Sequence, residues 1–161
     1  MFSPRAGLRP QSGGHPAFVR SATAANGSYG TPLRLAHSAD LGWLRVLRRQ
    51  VGRWAAEHQI PDEALIDLQL VLGEAVSNGV EHGYRHGRRG TVEVELKLQD
   101  VDDDPVVAVR VVDHGRWRPI PMRKDGRGRG LTIIDRLSRG LQISVSTAGT
   151  ALTCAVPLHR S

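Results

Sequence analysis

The chain has 161 residues, of which 40% are hydrophobic, and this is enough for one domain with an ordinary core. Its apolar runs are shorter than the ~20 residues that span a bilayer, and its N-terminus has no apolar block, so we expect a soluble cytoplasmic protein that does not insert into membranes. A net charge of +6 would suit nucleic-acid binding, but the basic residues are scattered, and direct binding is not expected.

The first predicted elements are an unstructured arm and an amphipathic helix. Residues 1–30 are rich in Gly, Ser, Pro and Ala without periodicity, which predicts a disordered arm ahead of a folded domain at residues 31–161. Apolar residues then recur at steps of three and four up to about Glu57, which predicts a helix capped by Ser38 or Asp40. Trp43 and Trp54 in this helix are interpreted as core residues, with a partner contact as the alternative.

A second helix, starting at Pro61 and Asp62, carries the most informative pattern of the chain. Glu74, Asn78 and His82 follow one another at four-residue intervals, so they share one stripe of the helix opposite an apolar stripe. A carboxylate one turn from an amide oxygen suits a hard cation such as Mg²⁺, which keeps several waters and takes few protein ligands. The alternative is the solvated face of an ordinary amphipathic helix.

Strands follow the second helix. TVEVELKLQ alternates strictly from residue 91, VVAVRVVD is an apolar strand at 106–113, and an aspartate-rich turn at 102–105 separates them. After a long loop come a helix at about 131–138 and a final hairpin made of LQISVS and ALTCAVPL. This order predicts an α+β fold, namely a two-layer sandwich of a mixed, mostly antiparallel sheet with helices on one face.

Three further segments carry candidate binding residues. Asp113 ends an apolar strand, and its carboxylate could accept a hydrogen bond from a purine amine while Gly115 leaves room for the ring. In residues 125–131, glycines and arginines alternate and open into a helix, where backbone N–H groups can close around an anion. The Thr150 hydroxyl could reach a nucleotide base. Each segment alone is equally compatible with an ordinary turn or a flexible loop.

Together and in this order, the four motifs resemble the ATP-binding, Bergerat-type fold of the GHKL superfamily, shared by gyrase, the Hsp90 chaperones, histidine kinases and MutL. The resemblance covers about residues 35–158. It is closest to the small stand-alone members, the anti-sigma-factor serine kinases of bacteria, which GEAVSNGVEHGY and RGRGLTIIDRLS resemble. One position departs from the pattern, because Trp117 stands where many members have a second glycine.

The resemblance implies two cofactors, ATP and Mg²⁺, and assigns a role to each motif. Asn78 is expected to coordinate Mg²⁺, and Glu74 is expected to act as general base on the attacking hydroxyl. Phosphoryl transfer depends mostly on positioning and charge neutralisation, so this small set is chemically sufficient. The other residues implied to bind the nucleotide are His82, Asp113, Gly115, Arg127, Gly128, Arg129, Gly130, Leu131 and Thr150.

The resemblance also implies a function, an ATP-dependent serine/threonine protein kinase. Its implied partners are an anti-anti-sigma protein of the STAS type, which it phosphorylates, and a sigma factor. Through them it is expected to regulate the transcription that depends on this sigma factor. A homodimer is expected, and residues 40–57 resemble the dimerisation and partner-binding region. The alternative is a catalytically weak nucleotide-binding regulator that acts by sequestration, which Trp117 favours. A third hypothesis, nucleic-acid binding, rests on the isoelectric point of 10.6, and the scattered charge argues against it.

Overall fold

A computed structural model describes residues 27–40, 42–83, 90–114 and 129–160, without the side chains of residues 81–83. Within these ranges the chain forms three helices and five strands. In chain order they are β1 (Ser28–Ser38), α1 (Trp43–Glu57), α2 (Asp62–Gly83), β2 (Thr91–Val101), β3 (Asp104–Asp113), α3 (Arg129–Leu137), β4 (Arg139–Ser146) and β5 (Gly149–Pro157). None of the helices in these ranges combines the length and the apolar character that crossing a membrane requires.

The five strands form one sheet in the order β1-β2-β3-β5-β4. All four pairings between described strands are antiparallel, so this sheet is antiparallel throughout and not mixed. The predicted α+β sandwich is otherwise confirmed. At the turn between β2 and β3, Asp102 and Asp103 both have positive φ, 51° and 66°, which is the geometry of a tight two-residue hairpin.

Strand β1 was not predicted, and its first residues lie inside the segment predicted to be a disordered arm. Its polar composition and the glycine at position 30 hide the two-residue period of a strand. β1 is stabilised by its pairing with β2, in which Leu33 lies opposite Leu96 and Leu35 opposite Val94. The indole Nε1 of Trp54 also donates a hydrogen bond of 2.8 Å to the carbonyl oxygen of Thr31. The folded part of the chain therefore begins by residue 28.

The core lies between the helices and one face of the sheet. Helix α2 contacts β2, β3 and β5 as well as both other helices, so it occupies the centre of the helical layer. Trp43 and Trp54 of α1 are 3% and 4% exposed, which confirms their assignment to the core. The apolar residues that the sheet and α2 bury in this layer are Val92, Val94, Leu96, Leu98, Val107, Val109, Val111, Leu152, Cys154, Val156, Ala64, Leu68, Val71, Leu72, Ala75 and Val76.

Helix α1 starts at a turn closed by Asp40. The Asp40 carboxylate accepts a hydrogen bond of 2.8 Å from the backbone N–H of Gly42, and the backbone carbonyl of Asp40 accepts one from the backbone N–H of Trp43. The N-cap residue itself is Gly42, which makes no side-chain cap bond. Asp40 therefore supports the start of the helix, as predicted for one of the two candidates, but from two residues before the N-cap.

Helix α2 is tied to the C-terminal segment by an ion pair. Asp67 is only 5% exposed, and its two carboxylate oxygens accept hydrogen bonds of 2.6 and 3.1 Å from the Arg160 guanidinium. A buried carboxylate needs such a partner, because leaving it unpaired carries a large desolvation cost. The pair fixes the N-terminal half of the helix whose second half carries Glu74 and Asn78.

The single cysteine of the chain, Cys154, should be almost unreactive in the folded protein. Burial raises the pKa of its thiol, and the hydrogen bond from Ser138 only partly opposes this effect. The thiol therefore stays neutral at pH 8, where a free cysteine is partly thiolate. We expect a disulfide reagent to modify native protein at least about 100-fold more slowly than denatured protein. Equal rates in the two states would contradict this.

Candidate functional site

Glu74 and Asn78 meet the start of α3. Both side chains are half-buried and lie one turn apart on α2. A Cβ atom at Gly130 would lie 2.6 Å from the carboxylate oxygen Oε2 of Glu74. The same position is 3.4 and 3.5 Å from the amide nitrogen and oxygen of Asn78. The structure thus brings a carboxylate, an amide and the first turn of a helix together, although they are far apart in the sequence.

Asp113 lies at the end of β3, beneath the same part of α2. It is 5% exposed, and its Cβ and Oδ2 lie 3.5 and 3.6 Å from the position that a Cβ at Gly79 would take. Gly79 directly follows Asn78 in the helix. The Asp113 carboxylate is therefore held against α2 one residue beyond the Glu74 and Asn78 pair.

The start of β5 completes this second cluster. Thr150 is paired with Asp113 across the strands, and its hydroxyl oxygen is buried without a hydrogen-bond partner in the described part of the chain. A buried hydroxyl in that condition costs about 1–3 kcal/mol. A ligand that brings a polar atom to this point would recover that free energy. The hydroxyl therefore has a hydrogen-bonding capacity that the described residues leave unused.

Gly149 permits the close approach of β5 to β3. Its φ of +138° is one that L-residues rarely adopt. A Cβ there would overlap the carbonyl oxygen of Asp113 and lie 2.9 Å from its carbonyl carbon. Only glycine fits at this position. The close approach that it permits places Asp113 and Thr150 side by side.

The two clusters suit different parts of one ligand. Glu74, Asn78 and the start of α3 offer a proton acceptor, an oxygen ligand and backbone N–H groups, which suit a phosphate chain with its metal ion. Asp113 and Thr150 offer hydrogen-bonding oxygens in a buried place, which suits the edge of a heterocycle. The described residues contain no group of three or more His, Cys, Asp or Glu side chains placed to hold a metal ion. The Asn78 amide oxygen could serve as a ligand of a hard cation whose other ligands are substrate and water oxygens.

Residues 37–156 match the family described as the histidine kinase-like ATPase domain. The chain belongs to this family. The match extends from the end of β1 almost to the end of β5, and so it includes every motif on which the resemblance was based.

Two relatives of this histidine kinase-like ATPase domain are informative. The anti-sigma F factor of Oceanobacillus iheyensis is 29% identical over 108 residues, which cover 62% of this chain and 73% of the relative. The crystal structure of the RsbU and RsbW domains of Rv1364c from Mycobacterium tuberculosis matches with a TM-score of 0.59 and 25% identity. That match covers 80% of this chain but 32% of the other, so the chain spans about a third of that protein. The resemblance to small anti-sigma-factor members of the superfamily is confirmed.

The remaining predicted site residues of the ATPase domain fall into two groups. Arg129 is exposed at the start of α3, and Leu131 is 41% exposed, so the Leu131 side chain lies away from the cluster of Glu74 and Asn78. Their backbone N–H groups lie in the first turn of the helix, where anions bind. Gly115, Arg127, Gly128, the His82 side chain and Trp117 lie outside the described residues.

One residue of the site was not predicted. Gly79 allows the Asp113 side chain to lie against α2, and its role follows from a contact between distant parts of the chain. The signal was present in the sequence, since a glycine inside a helix costs about 1 kcal/mol relative to alanine and usually has a packing reason.

A concavity of about 580 Å³ lies elsewhere in this ATPase domain, on the open face of the sheet. It is lined by charged and small side chains, including Glu95, Lys97 and Arg110. These side chains alternate along their strands with the buried ones, and so they face away from the helices. Neither Glu74 nor Asp113 lines this concavity, which is therefore separate from the candidate site.

Proposed function

We propose that this chain is an ATP-dependent serine/threonine protein kinase and anti-sigma factor of the cytoplasm. It phosphorylates an anti-anti-sigma protein of the STAS type and, in its other state, binds a sigma factor and so regulates transcription. The observation that carries the proposal is the meeting of Glu74, Asn78 and Gly130 at one point. A chain that only bound nucleotide would not need a half-buried carboxylate there. The name of the relative from Oceanobacillus iheyensis supports the anti-sigma role.

In this proposal ATP lies across both clusters. The Asp113 carboxylate accepts a hydrogen bond from the adenine amine, and the Thr150 hydroxyl gains the partner it lacks within the described residues. The Asn78 amide oxygen would hold Mg²⁺, and the ion would supply neutralisation of the charge on the phosphates. The other residues proposed to surround the nucleotide are His82, Gly115, Arg127, Gly128, Arg129, Gly130 and Leu131.

Glu74 is the proposed general base. Its carboxylate accepts the proton of the partner's serine hydroxyl while the serine oxygen forms a bond to the γ-phosphorus of ATP. The bond from that phosphorus to the bridging oxygen breaks, and ADP leaves with the bonding electrons. The products are phosphoserine and ADP, and Glu74 returns its proton to water. The Glu74 carboxylate lies beside the start of α3, and from this fixed position it can remove the proton.

The exposed face of α1 is the proposed partner and dimer surface. Val46 is 45% exposed and the four arginines of the helix are exposed, whereas the two tryptophans are buried and cannot contact a partner. Arg49 and Arg53, three and seven residues after Val46, share its side of the helix, and an apolar residue beside arginines suits an interface with an acidic protein. The arginines are Arg45, Arg48, Arg49 and Arg53.

Nucleic-acid binding has less support. Several of the basic side chains are already paired with acids, since Arg34 and Lys97 contact Glu95 and Arg139 contacts Asp104. Paired cations release fewer counterions on binding a phosphate backbone. These pairs reduce the number of basic side chains that are free to contact a phosphate backbone.

The alternative of a regulator without transfer activity rests on Trp117, which occupies a position that is glycine in many members.

One experiment separates the kinase from the regulator without transfer activity. The purified chain is incubated with γ-labelled ATP, Mg²⁺ and each anti-anti-sigma domain encoded by the same genome. We expect label on one serine of one domain, only when Mg²⁺ is present. ATP binding without transfer to any domain, together with sigma-factor binding, would support the alternative. Absence of ATP binding would contradict both.

A further inference from the structure

Gly130 has no backbone reason to be glycine. It lies in the first helical residues of α3, and its φ is not in the left-handed region that favours glycine. A backbone of this conformation accepts alanine as readily as glycine. The reason must therefore lie in the space that a side chain would occupy.

That space is taken by Glu74. A Cβ at residue 130 would lie 2.6 Å from Oε2 of Glu74, closer than real Cβ contacts come, while the Asn78 amide nitrogen lies at 3.4 Å, the short end of ordinary contact. The helices themselves are anchored, because Ile134 of α3 and Val76 of α2 are fully buried. The carboxylate is the mobile end of a flexible side chain, so it would move and the backbones would stay.

We propose that Gly130 is a positioning residue for Glu74. The missing side chain lets the carboxylate lie directly against the first turn of α3, so this turn determines where the carboxylate points. The inference rests on the proposed role of Glu74 as general base. A methyl group at residue 130 would displace Oε2 by roughly 0.8 Å to reach the 3.4 Å of ordinary contact, and a displacement near 1 Å can cost about 100-fold in rate.

The test compares transfer rates of the wild type, Gly130→Ala, Glu74→Asp and the double variant. Gly130→Ala should lower the rate by about 10- to 100-fold, whereas KM for ATP changes by less than about threefold because alanine keeps the backbone N–H. Glu74→Asp lowers the rate in the wild type. In the Gly130→Ala chain the same change should raise the rate by at least about threefold, because the shorter side chain vacates the space.

Gly73→Ala is the matched control. It precedes Glu74 on the same helix, and a Cβ there would meet only the Arg48 guanidinium, at 3.9 Å. This variant should keep the wild-type rate. A double variant no faster than Gly130→Ala would overturn the proposal. A loss of ATP affinity as large as the loss of rate would also overturn it, because it would mean that residue 130 acts only on the phosphates.

Thermal unfolding tests the contact without any nucleotide. Gly130→Ala should lower the melting temperature by about 2 °C in the wild type and should not lower it in Glu74→Ala, where nothing has to move. The same loss in both backgrounds would refute the contact. If the wild type transfers no phosphate, the proposed function fails, and this thermal comparison alone decides whether Gly130 sets the position of Glu74.

Discussion

Replacement of Glu74 by alanine should leave Mg²⁺-dependent ATP binding intact and abolish phosphate transfer to the partner serine. Glu74 lies beside Asn78 and the start of α3, but its proposed role is to accept a proton and not to hold the nucleotide. Loss of a positioned general base lowers a rate by about 10²- to 10⁴-fold. Affinity should stay the same or rise slightly, since a negative charge near the phosphates is removed. Calorimetry measures the ATP affinity, and transfer of label from γ-labelled ATP measures the rate.

Glu63→Ala is the control for this variant. Glu63 is an exposed carboxylate in the first turn of the same helix, so its loss changes net charge equally without touching the candidate site. It should transfer phosphate at the wild-type rate. If Glu74→Ala phosphorylated its partner as fast as Glu63→Ala, Glu74 would not be the base, and the structural position of its carboxylate would need another explanation.

Replacement of Gly149 by alanine should destabilise the domain by about 3 kcal/mol or more. Two effects add, because the φ of +138° is strained for alanine and the new Cβ would overlap the Asp113 carbonyl oxygen. The obstacle is backbone in a paired strand, and so it cannot move aside as a flexible side chain can. Molecules that still fold should bind nucleotide weakly, because Asp113 and Thr150 would be forced apart. Urea unfolding gives the loss of stability.

Gly52→Ala provides the comparison for this second variant. Gly52 lies in the interior of α1, and a Cβ there would meet no atom within 4 Å. Alanine at this site should stabilise the domain by up to about 1 kcal/mol through helix propensity. A Gly149→Ala protein within 1 kcal/mol of the wild type in stability would show that β3 and β5 separate more easily than their contact implies.

The helices could be predicted from the sequence because helical periodicity is local. The spacing of Glu74, Asn78 and His82 depends only on the α-helix repeat, and the strict alternation of β2 only on the pleat of a strand. Strand β1 lacks such a local signal. It becomes a strand through pairing with β2 and through the hydrogen bond from Trp54, which sequence patterns do not reveal.

The site was predictable as a set of motifs but not as a set of contacts. The spacing of Glu74, Asn78 and His82 predicts that they share one stripe of α2. Two contacts, Gly130 with Glu74 and Gly79 with Asp113, depend on how α3 and β3 pack on α2. No local sequence pattern encodes that packing. The roles of all the site residues remain predictions, and Gly115, Arg127, Gly128 and the His82 side chain also lie outside the described residues.

One calorimetric comparison tests whether Asn78 belongs to a Mg²⁺-dependent nucleotide site. ATP is titrated into the wild type and into Asn78→Ala, each with and without Mg²⁺. The wild type should bind ATP with micromolar affinity only when Mg²⁺ is present, and Asn78→Ala should lose this binding while its melting temperature stays within a few degrees of the wild type. Equal affinity in the two proteins, or no binding by the wild type, would contradict the site described here.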